Sequence, residues 1–366
     1  MKLVYIVDWL PPDYGAIGQY ALKEARERAE QGDEVHLWGL SSRRSSEEVE
    51  LLGAGKLVIH RLLSGAVPRS NLRERAQWTL KANARLVANA LPQMRSADEI
   101  LFTASPPFLE HLIIPLRRLL KGQVIFRIAD VHPEVLMNEV GRVPAWLRAF
   151  HALTLRRRRE VSVLEVLGED QRELMIANGV APERVRLRRS GSPVSWDRQC
   201  GTLARPSSLD GLTILLYSGA VGHAHEIDTF VTGYELHHRN GLGRVGLWLN
   251  AEGTFADRFE QEVRSRGLPI HRSKPVPLAE LCSLLNTADA HLITLKDAYV
   301  GLVVPSKMYA CLASGKDILY VGSPRSDVDL LCRQQRPDGY FQAAVGDSDG
   351  VAAALNALAR RVFEGS

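Results

Sequence analysis

Short runs of apolar and β-branched residues alternate with longer amphipathic stretches along the chain. Runs of this kind predict buried strands, and apolar positions spaced three and four residues apart predict helices between them. Strands that alternate with helices are typical of α/β proteins built on parallel sheets. The predicted strands cover residues 2–7, 34–38, 56–60, 99–103, 124–128, 162–167, 184–187, 212–217, 245–250, 290–294 and 318–321.

Helices are predicted between these strands, three of them with clear signals. Residues 169–178 begin with two acidic residues and are followed by Gly179, which matches the preferences of helix ends. Residues 17–30 are amphipathic and stop just before Gly32. Residues 348–363 form the last predicted helix.

The length and one change of character predict two domains. At 366 residues the chain exceeds an ordinary single core. The stretch 197–211 lacks periodicity and is rich in turn formers, which indicates a linker. We predict a Rossmann-like N-terminal domain over 1–197, a linker over 198–211, a second Rossmann-like domain over 212–347, and a C-terminal helix over 348–366 that packs back on the N-terminal domain. Two such domains face a central cleft, where ligands bind at the carboxyl ends of the strands.

The composition is that of a globular protein, with 45% apolar and 24% charged residues. No stretch is long and apolar enough to span a membrane, and the first apolar run is too short for a signal peptide. The net charge of +4 gives no reason to expect nucleic-acid binding. The four cysteines are widely spaced and predict reduced thiols in a cytoplasmic protein, with no metal site.

Two common nucleotide-binding motifs are absent from the sequence. The glycines after the first predicted strand, Gly15 and Gly18, are not spaced as in the dinucleotide-binding fingerprint. The pair Gly315-Lys316 lacks the first glycine and the following hydroxyl residue of a P-loop. The sequence therefore favours neither a dehydrogenase nor a nucleoside triphosphatase.

Residues 217–226 (Tyr-Ser-Gly-Ala-Val-Gly-His-Ala-His-Glu) connect a predicted strand to a helix. Glycines such as Gly219 and Gly222 let backbone amides approach an anion, and a helix start adds partial positive charge. This pattern predicts a diphosphate-binding loop. An ordinary tight turn between a strand and a helix explains it equally well.

A second candidate anion site is the segment around Lys307. Pro305 suits the first position of a helix, which leaves the amides near Ser306 and Lys307 free. A lysine at a helix start opposes the helix dipole, which argues for an anionic partner. The alternative is a solvated lysine on a surface helix.

Two segments of the first half carry polar residues after predicted strands. One holds Ser105, and the other holds Asp130, His132 and Glu134. Carboxylates and an imidazole at this position would bind sugar hydroxyls or assist proton transfer. Helix capping is the alternative role for the Asp-Val-His-Pro-Glu segment.

A basic cluster surrounds an apolar stripe in residues 117–159. The stripe consists of Trp146, Phe150 and Leu153. A helix of this kind lies on an anionic membrane surface, where each basic residue contributes about 1 kcal/mol. The alternative is a stripe that faces the core. The basic residues predicted to touch the membrane are Arg117, Arg118, Arg148, Arg156 and Arg157.

Taken in order, these segments resemble the glycosyltransferase 4 family of retaining GT-B enzymes, in the branch that builds bacterial surface polysaccharides and glycolipids. The resemblance covers nearly the whole chain. The matching segments are 11–18 (Pro-Pro-Asp-Tyr-Gly-Ala-Ile-Gly), Ser105-Pro-Pro, 130–134, 217–225 and 304–315.

The resemblance implies the GT-B fold and the transfer of a sugar from a nucleotide-diphosphate sugar to a saccharide or lipid-linked acceptor. It implies retention, no bound metal or cofactor, and a cytoplasmic enzyme at the inner face of the membrane. The residues expected to bind the donor are Gly15, Gly18, Gly219, Gly222, His223, His225, Pro305, Ser306, Lys307 and Tyr309. Those expected to bind the acceptor are Asp13, Tyr14, Ser105 and Glu134, and those expected to assist catalysis are Lys307, Ser306, His132 and Asp130.

The sequence departs from the family at several positions. Leu302 and Ala310 stand where the family carries two glutamates, and His223 and Ala220 replace a basic residue and an asparagine. The missing glutamates keep two rival functions open. One is a partner protein that binds a nucleotide sugar without turnover, and the other is a GT-B sugar-nucleotide epimerase.

Overall fold

Two β-sheets organise the chain, one in each of two units. The computed structural model describes residues 1–13, 16–65, 72–192, 194, 196 and 200–364. The first unit contains residues 1–167 and 171–189, and the second contains 168–170 and the chain from 190 onwards. The first unit therefore ends before the predicted boundary at 197.

The first unit is built on an eight-stranded sheet in the order β3-β4-β2-β1-β5-β6-β7-β8. Its central strands are runs of Val, Ile and Leu that are buried on both faces, as expected for a parallel sheet covered by helices. The strands are β1 (Lys2–Trp9), β2 (Glu34–Ser41), β3 (Ser46–Leu52), β4 (Gly55–Leu63), β5 (Glu99–Thr103), β6 (Gln123–Ile128), β7 (Val163–Val166) and β8 (Val185–Leu187). The helices are α1 (Ala16–Glu30), α2 (Leu72–Ser96), α3 (Glu110–Leu116), α4 (Glu134–Glu139), α5 (Ala145–Glu160) and α6 (Glu169–Ala177).

Strand β3 was not predicted, and it makes this sheet mixed instead of purely parallel. It pairs antiparallel with β4 across a tight turn in which Gly53 has a φ of 58°. Its glutamates conceal the strand in the sequence, because charged residues are rare in buried strands. In the structure they form ion pairs, Glu48 with Arg61 and Glu50 with Arg26. Charges on an edge strand also discourage pairing with another chain.

The second unit is built on a six-stranded sheet in the order β11-β10-β9-β12-β13-β14, in which every pairing is parallel. Apolar side chains of strands and helices form its core. The strands are β9 (Thr213–Ser218), β10 (Val245–Asn250), β11 (Ile270–Ser273), β12 (Ala290–Thr294), β13 (Asp317–Val321) and β14 (Tyr340–Ala343). The helices are α7 (Asp228–Asn240), α8 (Thr254–Ser265), α9 (Leu278–Thr287), α10 (Lys307–Ala313), α11 (Asp327–Gln335) and α12 (Ser348–Glu364).

In both sheets the strand order reverses next to the first strand. From β1 the chain moves outward through β2 to β4, then returns to β5 on the other side. From β9 it moves through β10 to β11 and returns to β12. Parallel sheets bind their ligands at the carboxyl ends of the strands beside such a reversal.

The C-terminal helix contributes to the core of the second unit. Helix α12 packs against α7 and β14, and Val351, Leu355 and Leu358 are buried in the core of the second unit. A Cβ on Gly233 of α7 would lie 2.5 Å from Cβ of Val351, so the glycine permits this close approach. The apolar face of α12 is therefore covered within its own unit.

The prediction of four reduced thiols is wrong for two of them. Cys200 and Cys282 form a disulfide with a Cα–Cα distance of 5.6 Å, within the range of such bonds. The two residues are 82 positions apart, so their spacing could not reveal the pairing. Cys311 and Cys332 are free and buried. Burial raises the pKa of the Cys311 thiol to about 12.

Alkylation tests this pairing directly. Protein denatured without reductant should take up label only at Cys311 and Cys332, and reduction should expose Cys200 and Cys282 as well. Reduction should also lower the free energy of unfolding by about 2–4 kcal/mol. Four labelled cysteines without reductant would contradict the assignment. Because disulfides are rare in a reducing cytoplasm, the experiment also tests the predicted location.

Candidate functional site

The side chain of Lys307 lies at the carboxyl end of β9. Its Nζ is 3.3 Å from the centroid of the Tyr217 ring, and Tyr217 is the fifth residue of that strand. Gly219 follows the strand with a φ of 113°, and a Cβ there would lie 3.8 Å from Cε of Lys307. The Lys307 ammonium is shielded from solvent and has no hydrogen-bond partner among the described residues. The alternative of a solvated surface lysine therefore does not fit this geometry.

Burial of the Lys307 ammonium costs free energy that its contacts in the structure do not offset. Burial lowers the pKa of Lys307 to about 7, because the charged form has lost its hydration. The Tyr217 ring offers a cation–π contact worth about 2 kcal/mol, much less than the hydration of an ammonium. Cys311 lies nearby, but its raised pKa keeps it a neutral thiol. The site therefore lacks a negative charge that a bound anion would supply.

His225 lies beside this lysine as a neutral imidazole. Its Nδ1 lies 3.0 Å from the backbone nitrogen of Gly222 and 3.3 Å from the carbonyl oxygen of the same residue; with Nδ1 as acceptor of the N–H, the ring proton is carried by Nε2. Burial and the charge of Lys307 lower the pKa of His225 to about 3, and Lys296 contributes in the same direction. The site can therefore offer a neutral N–H donor next to an ammonium.

Lys296 is a functional candidate that the sequence analysis missed. It lies two residues beyond β12, which pairs with β9, so it reaches the same end of the sheet. Its backbone N–H donates to the carbonyl of Ala224 at 2.8 Å, which ties it to the loop after β9. A lysine just past a predicted strand was the available signal.

The two glycines predicted to donate amides to a diphosphate are otherwise engaged. The N–H of Gly219 donates to the carbonyl of Asn250 at 3.0 Å, and that of Gly222 donates to His225. Both amides are thus engaged in this structure. Gly219 is favoured by its φ of 113°, since a Cβ there would make only ordinary van der Waals contact with Lys307.

The residues around Lys307 differ in part from their predicted placement. Helix α10 begins at Lys307 with Ser306 as its N-cap, so Pro305 precedes the helix instead of opening it. Ser306 is exposed and makes no side-chain capping hydrogen bond, whereas the ring of Tyr309 is buried. His223 is exposed, with its ring edge-on to that of Phe255 at 4.4 Å.

Leu302 and Ala310 are both buried, at 8% and 5% exposure. Apolar groups thus occupy the positions that carry glutamates in the family the sequence resembles. They offer no carboxylate to a ribose or a sugar.

In the first unit the predicted residues separate into two groups. Asp130 is exposed and His132 half-buried just after β6, where both are accessible. Glu134 accepts hydrogen bonds from Arg158 and lies 3.1 Å from Nε2 of His151. Burial alone would raise the pKa of Glu134, but the Arg158 hydrogen bonds and charge outweigh it and lower that pKa. Its carboxylate therefore fixes α4 against α5, which does not match the acceptor role.

The N-terminal segment holds the remaining predicted residues. Asp13 accepts hydrogen bonds from the backbone N–H and the hydroxyl of Ser42. Gly18 lies inside α1, where a Cβ would be 1.9 Å from the carbonyl oxygen of Trp9. That glycine therefore serves close packing of α1 on β1. Tyr14 and Gly15 lie outside the described residues.

No family model and no curated protein matches the chain. Solved structures do match over nearly all of it, and they share two Rossmann-like units. The chain has the GT-B fold. At these identities the likeness shows the fold alone. One match is a trehalose-6-phosphate protein from E. coli bound with UDP-2-fluoro glucose, with a TM-score of 0.69 and 13% identity over 100% of this chain and 92% of that one. Another is a sucrose-phosphate synthase from Thermosynechococcus elongatus, with a TM-score of 0.69 and 15% identity over 98% of this chain and 92% of that one. A third is the lipopolysaccharide outer core galactosyltransferase WaaB in its apo form, with a TM-score of 0.58 and 12% identity over 98% of this chain and 90% of that one.

The described residues contain no group of three or more His, Cys, Asp or Glu side chains placed to hold a metal ion. In this GT-B chain Lys307, Lys296 and the neutral ring of His225 lie at the end of β9, and this combination suits an anion.

The buried ammonium gives stability a defined pH dependence. Because the folded-state pKa of Lys307 lies below its ordinary value of 10.5, the unfolded chain binds more protons between about pH 7 and 10.5, and stability rises with pH through that window. Lys307→Met should therefore raise the melting temperature of the nucleotide-free protein at pH 6 and change it little near pH 10. Lys23→Met, at an exposed position, is the control. An equal effect of Lys307→Met at both pH values would contradict the unpaired charge.

Proposed function

We propose that the protein is a retaining glycosyltransferase that moves a hexose from a nucleotide-diphosphate sugar to a saccharide or lipid-linked acceptor, without a metal ion. The observation that carries the proposal is the ammonium of Lys307, which has no hydrogen-bond partner among the described residues. It lies at the end of β9, beside the point where the strand order of the second sheet reverses. A diphosphate supplies the negative charge that this ammonium lacks. The reported neighbours support a nucleotide sugar as donor, since one of them is bound with UDP-2-fluoro glucose.

In this reaction the departing diphosphate is the group whose growing charge most needs to be stabilised. As the bond to the sugar breaks, negative charge grows on the leaving phosphate while the sugar becomes oxocarbenium-like. Lys307 would neutralise this charge, with the exposed hydroxyl of Ser306 and the Nε2–H of His225 as further donors. Fixed donors of this kind supply a large part of enzymatic rate acceleration.

In the first unit we assign substrate contacts to Asp130 and His132, which are accessible after β6. We assign Ser105 to the acceptor on the same grounds, since it follows β5. Glu134 is left out, because Arg158 engages its carboxylate.

A non-catalytic nucleotide-sugar-binding protein is the second candidate. It is favoured by Leu302 and Ala310, which leave two family carboxylates without an equivalent. The two functions differ in one observable, since only the transferase releases nucleoside diphosphate from its donor. An epimerase would convert the donor with no acceptor present.

A thermal-shift panel with UDP, GDP, ADP and dTDP tests the proposal. One nucleotide at a hundred times its Kd should add about 2.7 kcal/mol to the free energy of unfolding. Lys307→Ala should abolish this shift and lower turnover of the matching sugar nucleotide by about 100- to 1,000-fold. Lys23→Ala should change neither. Binding without transfer or hydrolysis would favour the non-catalytic protein, and an undiminished shift with Lys307→Ala would remove Lys307 from the site.

We further propose that the enzyme works in the cytoplasm at the inner face of the cytoplasmic membrane, docked through α5. Trp146 and Leu153, two of the three residues of the predicted apolar stripe, are 64% and 40% exposed. Arg148 and Arg156 are exposed on the same helix. Phe150, the third residue of the stripe, is half-buried against Phe108 and His111, so the proposed lipid contact rests on Trp146, Leu153 and the arginines. Among the described residues no helix is long and apolar enough to cross a bilayer.

Some of the predicted membrane arginines fit this surface better than others. Arg117 and Arg118 are exposed in the turn after α3, and α3 packs against α5. Arg157 has a side chain only 23% exposed and is paired with Glu160 at 2.9 Å. We therefore leave Arg157 out of the proposed contact.

Vesicle co-sedimentation tests the docking surface. The protein should bind phosphatidylglycerol vesicles and not phosphatidylcholine vesicles, and binding should fall as salt rises. Trp146→Ala and Arg156→Glu should each weaken it. Arg239→Glu is the matched control, since both arginine side chains are 73% exposed and both pair with a glutamate on the same helix. Equal loss with Arg239→Glu would contradict a specific surface.

A further inference from the structure

Two polar residues, Asp8 and Ser105, lie where the strand order of the first sheet reverses, and only Ser105 was singled out in the sequence. Strand β1 pairs with both β2 and β5, and the strand order reverses between them. Asp8 is the last residue but one of β1, and Ser105 follows β5 by two residues. The two side chains therefore lie at the position where a parallel sheet binds ligands.

Asp8 and Ser105 are joined by a short hydrogen bond. The hydroxyl of Ser105 donates to Oδ2 of Asp8 at 2.6 Å. The carbonyl of Ser105 is itself held by the hydroxyl of Thr103 at 2.6 Å, which fixes the segment after β5. Because the Ser105 hydroxyl donates its hydrogen to Asp8, its oxygen keeps lone pairs that can accept a hydrogen bond from a ligand.

The second carboxylate oxygen of Asp8 has no donor. Oδ1 is shielded from solvent and has no hydrogen-bond partner among the described residues. Burial raises the pKa of Asp8, although the Ser105 hydroxyl and the backbone N–H of Trp9 oppose the shift. Asp13 shows the contrast, since Ser42 donates to both of its oxygens. A buried acceptor left without a donor is costly, and a ligand hydroxyl would remove that cost.

The backbone beyond Ser105 is also strained. Phe108 has a φ of 75°, a region that non-glycine residues rarely occupy and that costs about 1–3 kcal/mol. The side-chain amide of Asn83 holds this segment by donating to the carbonyl of Pro107 at 2.7 Å. Strain that the surrounding structure maintains is found mostly at ligand sites.

We propose that Asp8 and Ser105 form a site for two neighbouring hydroxyls of a neutral saccharide, which is the acceptor if the protein is the glycosyltransferase proposed above. Oδ1 of Asp8 accepts a hydrogen bond from one hydroxyl, and the hydroxyl oxygen of Ser105 accepts a hydrogen bond from the other. A phosphate is excluded from the pair because its charge would face a carboxylate. Asp8 is thereby a binding residue that neither the motifs nor the family resemblance assigns.

Saturation-transfer NMR with glucose, galactose, mannose and N-acetylglucosamine as separate probes tests this site. At least one hexose should give a signal with the wild-type protein at millimolar concentration. Asp8→Asn should weaken its binding by about 10- to 100-fold, as expected when a hydrogen bond to a charged group is lost. Ser105→Ala should weaken it as well. Asp98→Asn is the matched control, because Asp98 accepts from the N–H of Lys2 at the opposite ends of β1 and β5.

Two further measurements separate the failure of this proposal from that of the proposed function. Nucleoside diphosphate binding by thermal shift should be unchanged in Asp8→Asn and Ser105→Ala, and circular dichroism should confirm that both variants fold. If Asp8→Asn does not fold, Ser105→Ala alone decides. Hexose binding that survives in the folded variants, or that is absent from the wild type, would overturn the site while leaving the nucleotide result intact. Binding of ethanolamine in place of hexoses would overturn the saccharide assignment.

Discussion

The Lys307 ammonium, buried over the Tyr217 ring without a counterion, is the interaction on which the functional account depends. Its environment is built to hold it there. The Lys307 side chain passes Gly219, Tyr217 offers only a π face, and burial keeps His225 neutral. A folded protein that leaves a buried charge unpaired loses stability. Such a charge at the ligand-binding end of a sheet indicates a site for an anion.

Each unit carries an ionisable side chain with a buried hydrogen-bonding atom that has no partner among the described residues, and the two side chains differ in the sign of their charge. The second has an ammonium without an acceptor, and the first has a carboxylate oxygen, Oδ1 of Asp8, without a donor. Each lies beside the point where the strand order of its sheet reverses. The strand order follows from the connections, and the connections follow from the alternation of apolar runs and amphipathic stretches. The sequence pattern thus sets the topology, and the topology places Lys307 in one unit and Asp8 in the other at the ligand-binding end of a sheet.

Periodicity predicted most strands of both sheets, because these depend on local sequence, and the motifs drew attention to Lys307. The predictions missed β3, β11 and β14, and the glutamates of β3 find partners only on other elements. They did not anticipate the hydrogen bonds of the Gly219 and Gly222 amides, since the Asn250 carbonyl and the His225 ring that accept them are positioned by the folded loop. The disulfide joins residues 82 positions apart, and no spacing rule anticipates it. Asp8 escaped notice because a single carboxylate after a strand carries no motif.

The pKa of Lys307 is the most direct test of the central claim. It can be measured by NMR titration of the lysine ¹³Cε signals, assigned through Lys307→Arg, with and without a saturating nucleoside diphosphate. The account predicts a pKa of about 7 in the free protein, raised by about 1–3 units when the anion binds. An ordinary lysine pKa near 10.5 in the free protein, unmoved by any nucleotide, would contradict it.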